Sequence, residues 1–220
     1  MKRLLDFVIA AVALAALMPV MLLIAFAVFM LSGPPIFFTQ DRIGRFGRPF
    51  PIYKFRTMSL REPGQRVLDI TVGGDSRITV IGRYLRKTKL DELPQLWNVL
   101  RGDMRLVGPR PEVPRFVALY TPEQRRVLTL HPGITDPASL AFLDEERVLS
   151  DAADPERHYI EEIMPAKITA ALRYAEQSTM CSDLSLILET VRRTFFGRRI
   201  APNPRAAPQA SCVSNYTKSA

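Results

Sequence analysis

From Phe7 to Leu31 the chain carries no charged residue. The run exceeds the roughly 20 apolar residues that cross a bilayer as one helix. It is far longer than the apolar region of a cleaved signal, and the following Pro34-Pro35-Ile36-Phe37-Phe38 is no small-residue cleavage site, so the segment stays as a membrane element. Its flanks conflict with a simple span. Lys2 and Arg3 precede it, and Arg42, Arg45, Arg48, Lys54 and Arg56 follow. Basic flanks favour the cytoplasmic side, and a straight helix cannot put both there. Pro19 sits near the middle, where it removes a backbone hydrogen bond and bends a helix. Two arrangements stay open: an ordinary span with a tolerated proline, and a helix that enters, breaks at Met18-Pro19 and returns to the same face.

The chain's 220 residues make one domain, or one domain with a membrane element. Thirty Lys and Arg against 22 Asp and Glu give a net charge of +8. Such a balance suits nucleic acid, an anionic membrane surface or a phosphorylated substrate. Cys181 and Cys212 form no CxxC, and His131 and His158 lie far apart, which argues against a disulfide framework and a zinc site.

The chemistry centres on Lys89-Leu90-Asp91-Glu92-Leu93-Pro94-Gln95-Leu96-Trp97. Leu93, Leu96, Trp97 and Leu100 recur at helical spacing, and proline belongs in a first turn, so the pattern predicts a helix beginning near Asp91 with Asp91 as its N-cap. Taken alone, an acidic pair there is an ordinary cap. Its surroundings are strongly basic. Arg77, Arg83, Arg86, Lys87 and Lys89 lie upstream, and Gly108-Pro109-Arg110-Pro111 follows, with prolines fixing the backbone around Arg110. Lys54 and Arg56 share one face of an alternating segment over Phe50 to Met58. Carboxylates among cations suit phosphate chemistry: cations hold the anion, and carboxylates hold a divalent metal or attack phosphorus.

Elsewhere, Ile36 to Gln40 reads as extended, Arg42 to Pro49 as a basic turn, and Ser59 to Gly74 as a loop. Asp75 offers a cap before a helix marked by Ile78, Ile81 and Leu85. Gly102-Asp103 ends the helix after Asp91. Helical spacing recurs over Glu112 to Leu130, with a second start after Thr121, over Pro165 to Glu176, and over Leu184 to Phe196. Asp144-Glu145-Glu146 reads as a solvated helix start, and residues 201–220 as a disordered tail.

Assembled in order, these pieces closely resemble the bacterial sugar transferase family, the small monotopic polyprenyl-phosphate phosphoglycosyl transferases. The resemblance runs from Lys2 to about Arg193 and rests on Lys2-Arg3-Leu4-Leu5-Asp6, Lys54-Phe55-Arg56-Thr57-Met58, Asp75-Ser76-Arg77-Ile78-Thr79, Leu90 to Leu100, Gly108 to Pro111 and His131-Pro132-Gly133-Ile134-Thr135. The chain starts directly at the membrane motif, as the catalytic-domain-only class does.

The resemblance implies a mainly α fold with a small β element. It comprises a re-entrant helix-break-helix hairpin over 1–33, a cytoplasmic catalytic domain over 34–200 with amphipathic interface helices, and a tail. It implies transfer of a sugar 1-phosphate from a UDP-sugar to undecaprenyl phosphate, with release of UMP, at the cytoplasmic face of the bacterial inner membrane. This starts a lipid-linked glycan. Carried over, Asp91 is the nucleophile that forms a phosphosugar-aspartate. Glu92 is a metal ligand or acid–base helper, and Asp91 and Glu92 hold Mg2+. Lys54, Arg56, Arg77, Arg86 and Arg110 bind phosphate or nucleotide. Membrane lipid and a second copy are further partners, and nucleic acid is not. The chain departs from the family's pattern at Met18, Lys89 and Asp136-Pro137-Ala138-Ser139, the first two standing where serine is frequent. Competing functions are a membrane-anchored basic adaptor without activity, and a glycosyl transferase releasing UDP.

Overall fold

The computed structural model describes residues 2–60, 70–71, 74–142 and 145–196. The element order is α1 (Lys2–Ser32), β1 (Phe37–Ile43), β2 (Pro49–Phe55), α2 (Val80–Lys87), α3 (Gln95–Arg101), β3 (Arg105–Val107), α4 (Pro114–Val117), β4 (Gly133–Thr135), α5 (Pro137–Ala141), α6 (Glu145–Asp151), α7 (Pro155–His158), α8 (Met164–Gln177) and α9 (Met180–Phe196). The fold is mainly helical with two small sheets, β1 antiparallel to β2 and β3 parallel to β4.

The long apolar segment forms one helix. The α-helix of α1 continues through Pro19, so the expected break at Met18-Pro19 does not interrupt it. Among the described residues it is the one helix long and apolar enough to cross a membrane. Its packing is the informative part. Ala10, Leu14, Leu17, Met21, Ile24 and Val28 recur three or four apart and so share a face, and each packs into the domain. The N-terminal half joins Phe50 and Ile52 of β2, Leu96 and Val99 of α3, and Leu106 of β3. The C-terminal half joins Phe55 of β2 and Leu85 of α2. The opposite face leaves Val12, Leu22, Leu23, Phe26 and Met30 exposed. Polar contacts tie both ends to the same domain. Lys2 pairs with Asp183 at 3.0 Å, and Asp6 accepts from Arg105 Nε at 2.6 Å. At the other end, Arg56 donates to the carbonyls of Ser32, Gly33 and Pro34 at 2.5, 2.6 and 2.9 Å.

A third core cluster forms away from α1. It packs Phe116 and Val117 of α4 and Leu149 of α6 on Met164, Ile168 and Ala171 of α8. Tyr159, in a π-turn over Tyr159–Ile163 that leads into α8, stacks obliquely on Phe116 at 5.0 Å.

Several local expectations shift. Thr79, not Asp75, caps α2, its hydroxyl accepting from the Gly82 amide at 3.0 Å. Asp75 instead holds Arg77. The helical pattern over Glu112 to Leu130 resolves into short α4 and a 3-10 stretch at Gln124–Thr129, begun by reciprocal Thr121–Gln124 bonds. Repeated prolines at 109, 111, 114 and 122 keep this region from one long helix. Asp144 and the tail lie outside the described residues.

Candidate active site

Asp91 and Glu92 do not open an α-helix. They sit in a 3-10 turn, Leu90–Glu92, entered through Lys89 in the left-handed region (φ 53°, ψ 14°). Pro94 then precedes α3, so Asp91 caps nothing, contrary to the sequence expectation. The short turn aims both carboxylates inward, and both residues are buried. They line a cavity of about 500 Å3, walled by β1, β2, α2, the Pro109–Glu112 segment and α8.

Three devices fix this geometry. Asn98 of α3 is fully buried and straps β2, donating to the Pro51 carbonyl at 2.8 Å while accepting from the Tyr53 amide at 3.2 Å. That sets Lys54 against the turn. Gly82 lets α2 approach the Thr57 backbone, where a Cβ would lie 2.1 Å from its carbonyl oxygen. Gly108 and Gly133 pass each other just as closely, and the Gly133 amide donates to the Pro109 carbonyl at 2.9 Å. Beyond them the Arg110 amide donates to Asp136 Oδ2 at 3.3 Å.

Glu92 is held by two cations. Lys54 Nζ lies 3.0 Å from Oε1, and Arg110 grips both oxygens, Nη1 to Oε2 at 3.1 Å and Nη2 to Oε1. Burial works to raise the Glu92 pKa, but Arg110 and Lys54 outweigh it and hold the carboxyl well below its usual range. Burial lowers Lys54 to about 8 against the pull of Glu92, while Glu92 raises Arg110 further. Asp91 differs. Burial pushes its carboxyl up, the Glu92 charge adds to this, and Lys54, Lys89 and Arg86 oppose it. Its Oδ1 is buried without a hydrogen-bond partner among the described residues. A buried acceptor without a partner costs stability.

The other expected anion ligands part ways. Arg77 and Arg86 line the cavity but are paired, Arg77 with Asp75 at 2.9 Å and Arg86 with Glu146. Arg56 binds the carbonyls ending α1, so its guanidinium fastens the apolar helix to β2. The basic turn between β1 and β2 closes on itself, Gly44 N donating to the Arg48 carbonyl at 2.8 Å. Two contributors escaped the sequence reading. Asp136 caps α5 through Ser139 N at 2.5 Å while holding the Arg110 amide; Asp immediately before Pro is a readable helix-start signal. Deeper in the cavity, Glu112 joins Arg42 at 3.4 Å and the Tyr159 hydroxyl, a juxtaposition across the chain that no local motif announces.

The family model for bacterial sugar transferases matches residues 1–197. The chain is 40% identical over 193 residues to a UDP-glucose:undecaprenyl-phosphate glucose-1-phosphate transferase of Caulobacter vibrioides, covering 86% of this chain and 68% of the relative. It is 35% identical over 203 residues to a UDP-N-acetylgalactosamine-undecaprenyl-phosphate N-acetylgalactosaminephosphotransferase of Aeromonas hydrophila, covering 90% of this chain and 45% of the relative. It is 35% identical over 200 residues to a UDP-glucose:undecaprenyl-phosphate glucose-1-phosphate transferase of Klebsiella pneumoniae, covering 90% and 40%. The chain thus spans about two thirds of the first relative and under half of the other two. The chain belongs to the bacterial sugar transferase family, and it is an enzyme of the transferase class.

Proposed function

We propose that this enzyme transfers a sugar 1-phosphate from a UDP-sugar to undecaprenyl phosphate, releasing UMP, through a covalent phosphosugar on Asp91. The observation that carries the reading is the unpartnered Asp91 Oδ1, buried at a cation-lined cavity beside a Glu92 that Lys54 and Arg110 keep ionised. The relatives' names supply the donor and acceptor classes.

Asp91 attacks the sugar-bearing phosphorus in line. The bond from that phosphorus to the bridging oxygen breaks, and UMP departs with the electron pair. An oxygen of undecaprenyl phosphate then attacks the same phosphorus and returns Asp91 as a carboxylate. Splitting the reaction lets a water-soluble donor and a lipid acceptor use the cavity in turn. Glu92, locked between two cations, is a poor proton acceptor and serves to set charge and position. Arg110 and Lys54 reach the transferred phosphoryl group from the Glu92 side, with Arg77 and Arg86 further along the cavity.

Of the two expected magnesium ligands, Asp91 Oδ1 is open to a cation, whereas both Glu92 oxygens already face Lys54 and Arg110, so magnesium would be held by Asp91 with substrate phosphates and water. The described residues hold no group of three or more His, Cys, Asp or Glu that could ligate a metal, and this cation is commonly held by one or two carboxylates, substrate phosphates and water. When bound, it would neutralise diphosphate charge.

We further infer that α1, bent at Pro19 rather than broken there, dips into the inner membrane and leaves on its cytoplasmic side. Both its ends are tied to one domain, by Asp6–Arg105 and by Arg56. The test of function is product analysis with detergent-solubilised protein, undecaprenyl phosphate, magnesium and a panel of UDP-sugars. The expected product is UMP with at least one donor, and none from the Asp91→Asn protein. UDP as product, or substantial turnover by Asp91→Asn, would sink the covalent route.

A further inference from the structure

The cavity's cations are mostly engaged by the protein itself. Glu92 holds Lys54 and Arg110, Asp75 holds Arg77, Glu146 holds Arg86, and Glu145 holds Lys167 at 2.5 Å. Glu112 and the Pro111 carbonyl hold Arg42, and the carbonyls ending α1 hold Arg56. Lys89 also lines the cavity, and its ammonium has no partner among the described residues. It is exposed, two positions before the unpartnered carboxylate of Asp91.

Its backbone is placed at a cost. Only Phe46 and Lys89 among the described non-glycine residues have positive φ. A left-handed lysine is disfavoured, since its Cβ crowds the following carbonyl. Glycine would adopt that conformation freely, yet lysine stands there. The main chain is pinned on both sides, the Lys89 amide donating to Arg86 O at 3.2 Å and its carbonyl accepting from Glu92 N at 3.1 Å. The side chain therefore leaves a fixed root beside the reacting carboxylate and carries the cavity's uncommitted positive charge.

We propose that Lys89 is a substrate-binding residue, its ammonium taking a phosphate oxygen at the mouth of the cavity. The proposal rests on the sugar-phosphate transfer reading. The oxygen belongs either to the donor's diphosphate or to the lipid acceptor's phosphate, chemistry the ammonium treats alike.

Two substitutions separate charge from backbone. Lys89→Gly keeps the turn and removes the ammonium; Lys89→Arg keeps the charge. Lys89→Gly is expected to melt no lower than wild type. By calorimetry on the full-length solubilised chain, it is expected to bind inorganic pyrophosphate about tenfold more weakly, the loss of one charge-assisted contact, with Lys89→Arg near wild type. In turnover, a rise in KM confined to the UDP-sugar assigns the oxygen to the donor, and one confined to undecaprenyl phosphate assigns it to the acceptor. Either supports the proposal when kcat changes less than KM. Pyrophosphate affinity and both KM values within about twofold of wild type in Lys89→Gly would overturn it. If the wild-type enzyme releases no UMP from any donor, the transfer reading fails, and the pyrophosphate comparison alone decides the role of Lys89.

Discussion

Asp91 and Glu92 are neighbours in the chain with opposite electrostatics, and neutralising each should move stability in opposite directions. Asp91 has a raised pKa, so its contribution to folding is greatest below the ordinary carboxylate value and is lost as pH climbs through the raised one. In EDTA at neutral pH, Asp91→Asn is expected to melt at or above the wild-type temperature, with the gap closing below about pH 4. Glu92 has a depressed pKa, so its contribution is present above the ordinary value and lost as pH falls through the depressed one. Glu92→Gln leaves Lys54 and the partly exposed Arg110 facing each other across the cavity wall. The expected cost is a drop of a few degrees in thermal unfolding at neutral pH, less than for a fully buried pair because solvent screens Arg110. A lower melting point for Asp91→Asn, or none for Glu92→Gln, would contradict this division. Much of the cluster was legible beforehand. Acidic pair, Lys54 and Arg110 stood out because isolated carboxylates rarely gather so many cations in sequence. Arg56 was not legible as a fastener, because the carbonyls it binds belong to a helix end that only tertiary packing brings to it.

Among the elements, α1 carries the strongest consequence. Straight, its 31 residues at about 1.5 Å rise would span roughly 46 Å, more than a bilayer's hydrocarbon core. Yet residues near both termini contact one catalytic domain. Cysteines at Leu4 and Phe46, both exposed, in a chain with Cys181 and Cys212 replaced by serine, are expected to react with an impermeant maleimide from the same side of sealed vesicles. Labelling from opposite sides would establish a span instead. Periodicity located α1, α8 and α9 well, since long apolar patterns persist against local noise. The short elements were harder. Asp91 and Asp75 both look like caps in sequence, and each is diverted by a partner or turn that propensity cannot see. Pro19 was read as an interruption, but the helix carries on through it.

At the scale of the molecule, the outward face of α1 is an exposed apolar surface on the one described helix long enough to cross a bilayer. Leu22 and Phe26 are exposed there and absent from the core clusters. Glutamate at both positions is expected to shift the protein from the membrane pellet to the supernatant after carbonate washing, with little change in the unfolding temperature in detergent. Retention in the pellet would mean that other surfaces hold it. The inward face has a different implication. Ala10, Ile24 and Val28 are part of two of the three hydrophobic clusters, so α1 works as a structural wall of the enzyme. Cut away, it would uncover Phe50, Phe55, Leu85 and Leu96 together. A chain shorn of α1 would therefore lack part of the frame behind β2, α2 and α3, the elements that carry Lys54 and set the turn of Asp91, so the helix is as much a piece of the enzyme's architecture as of its surface.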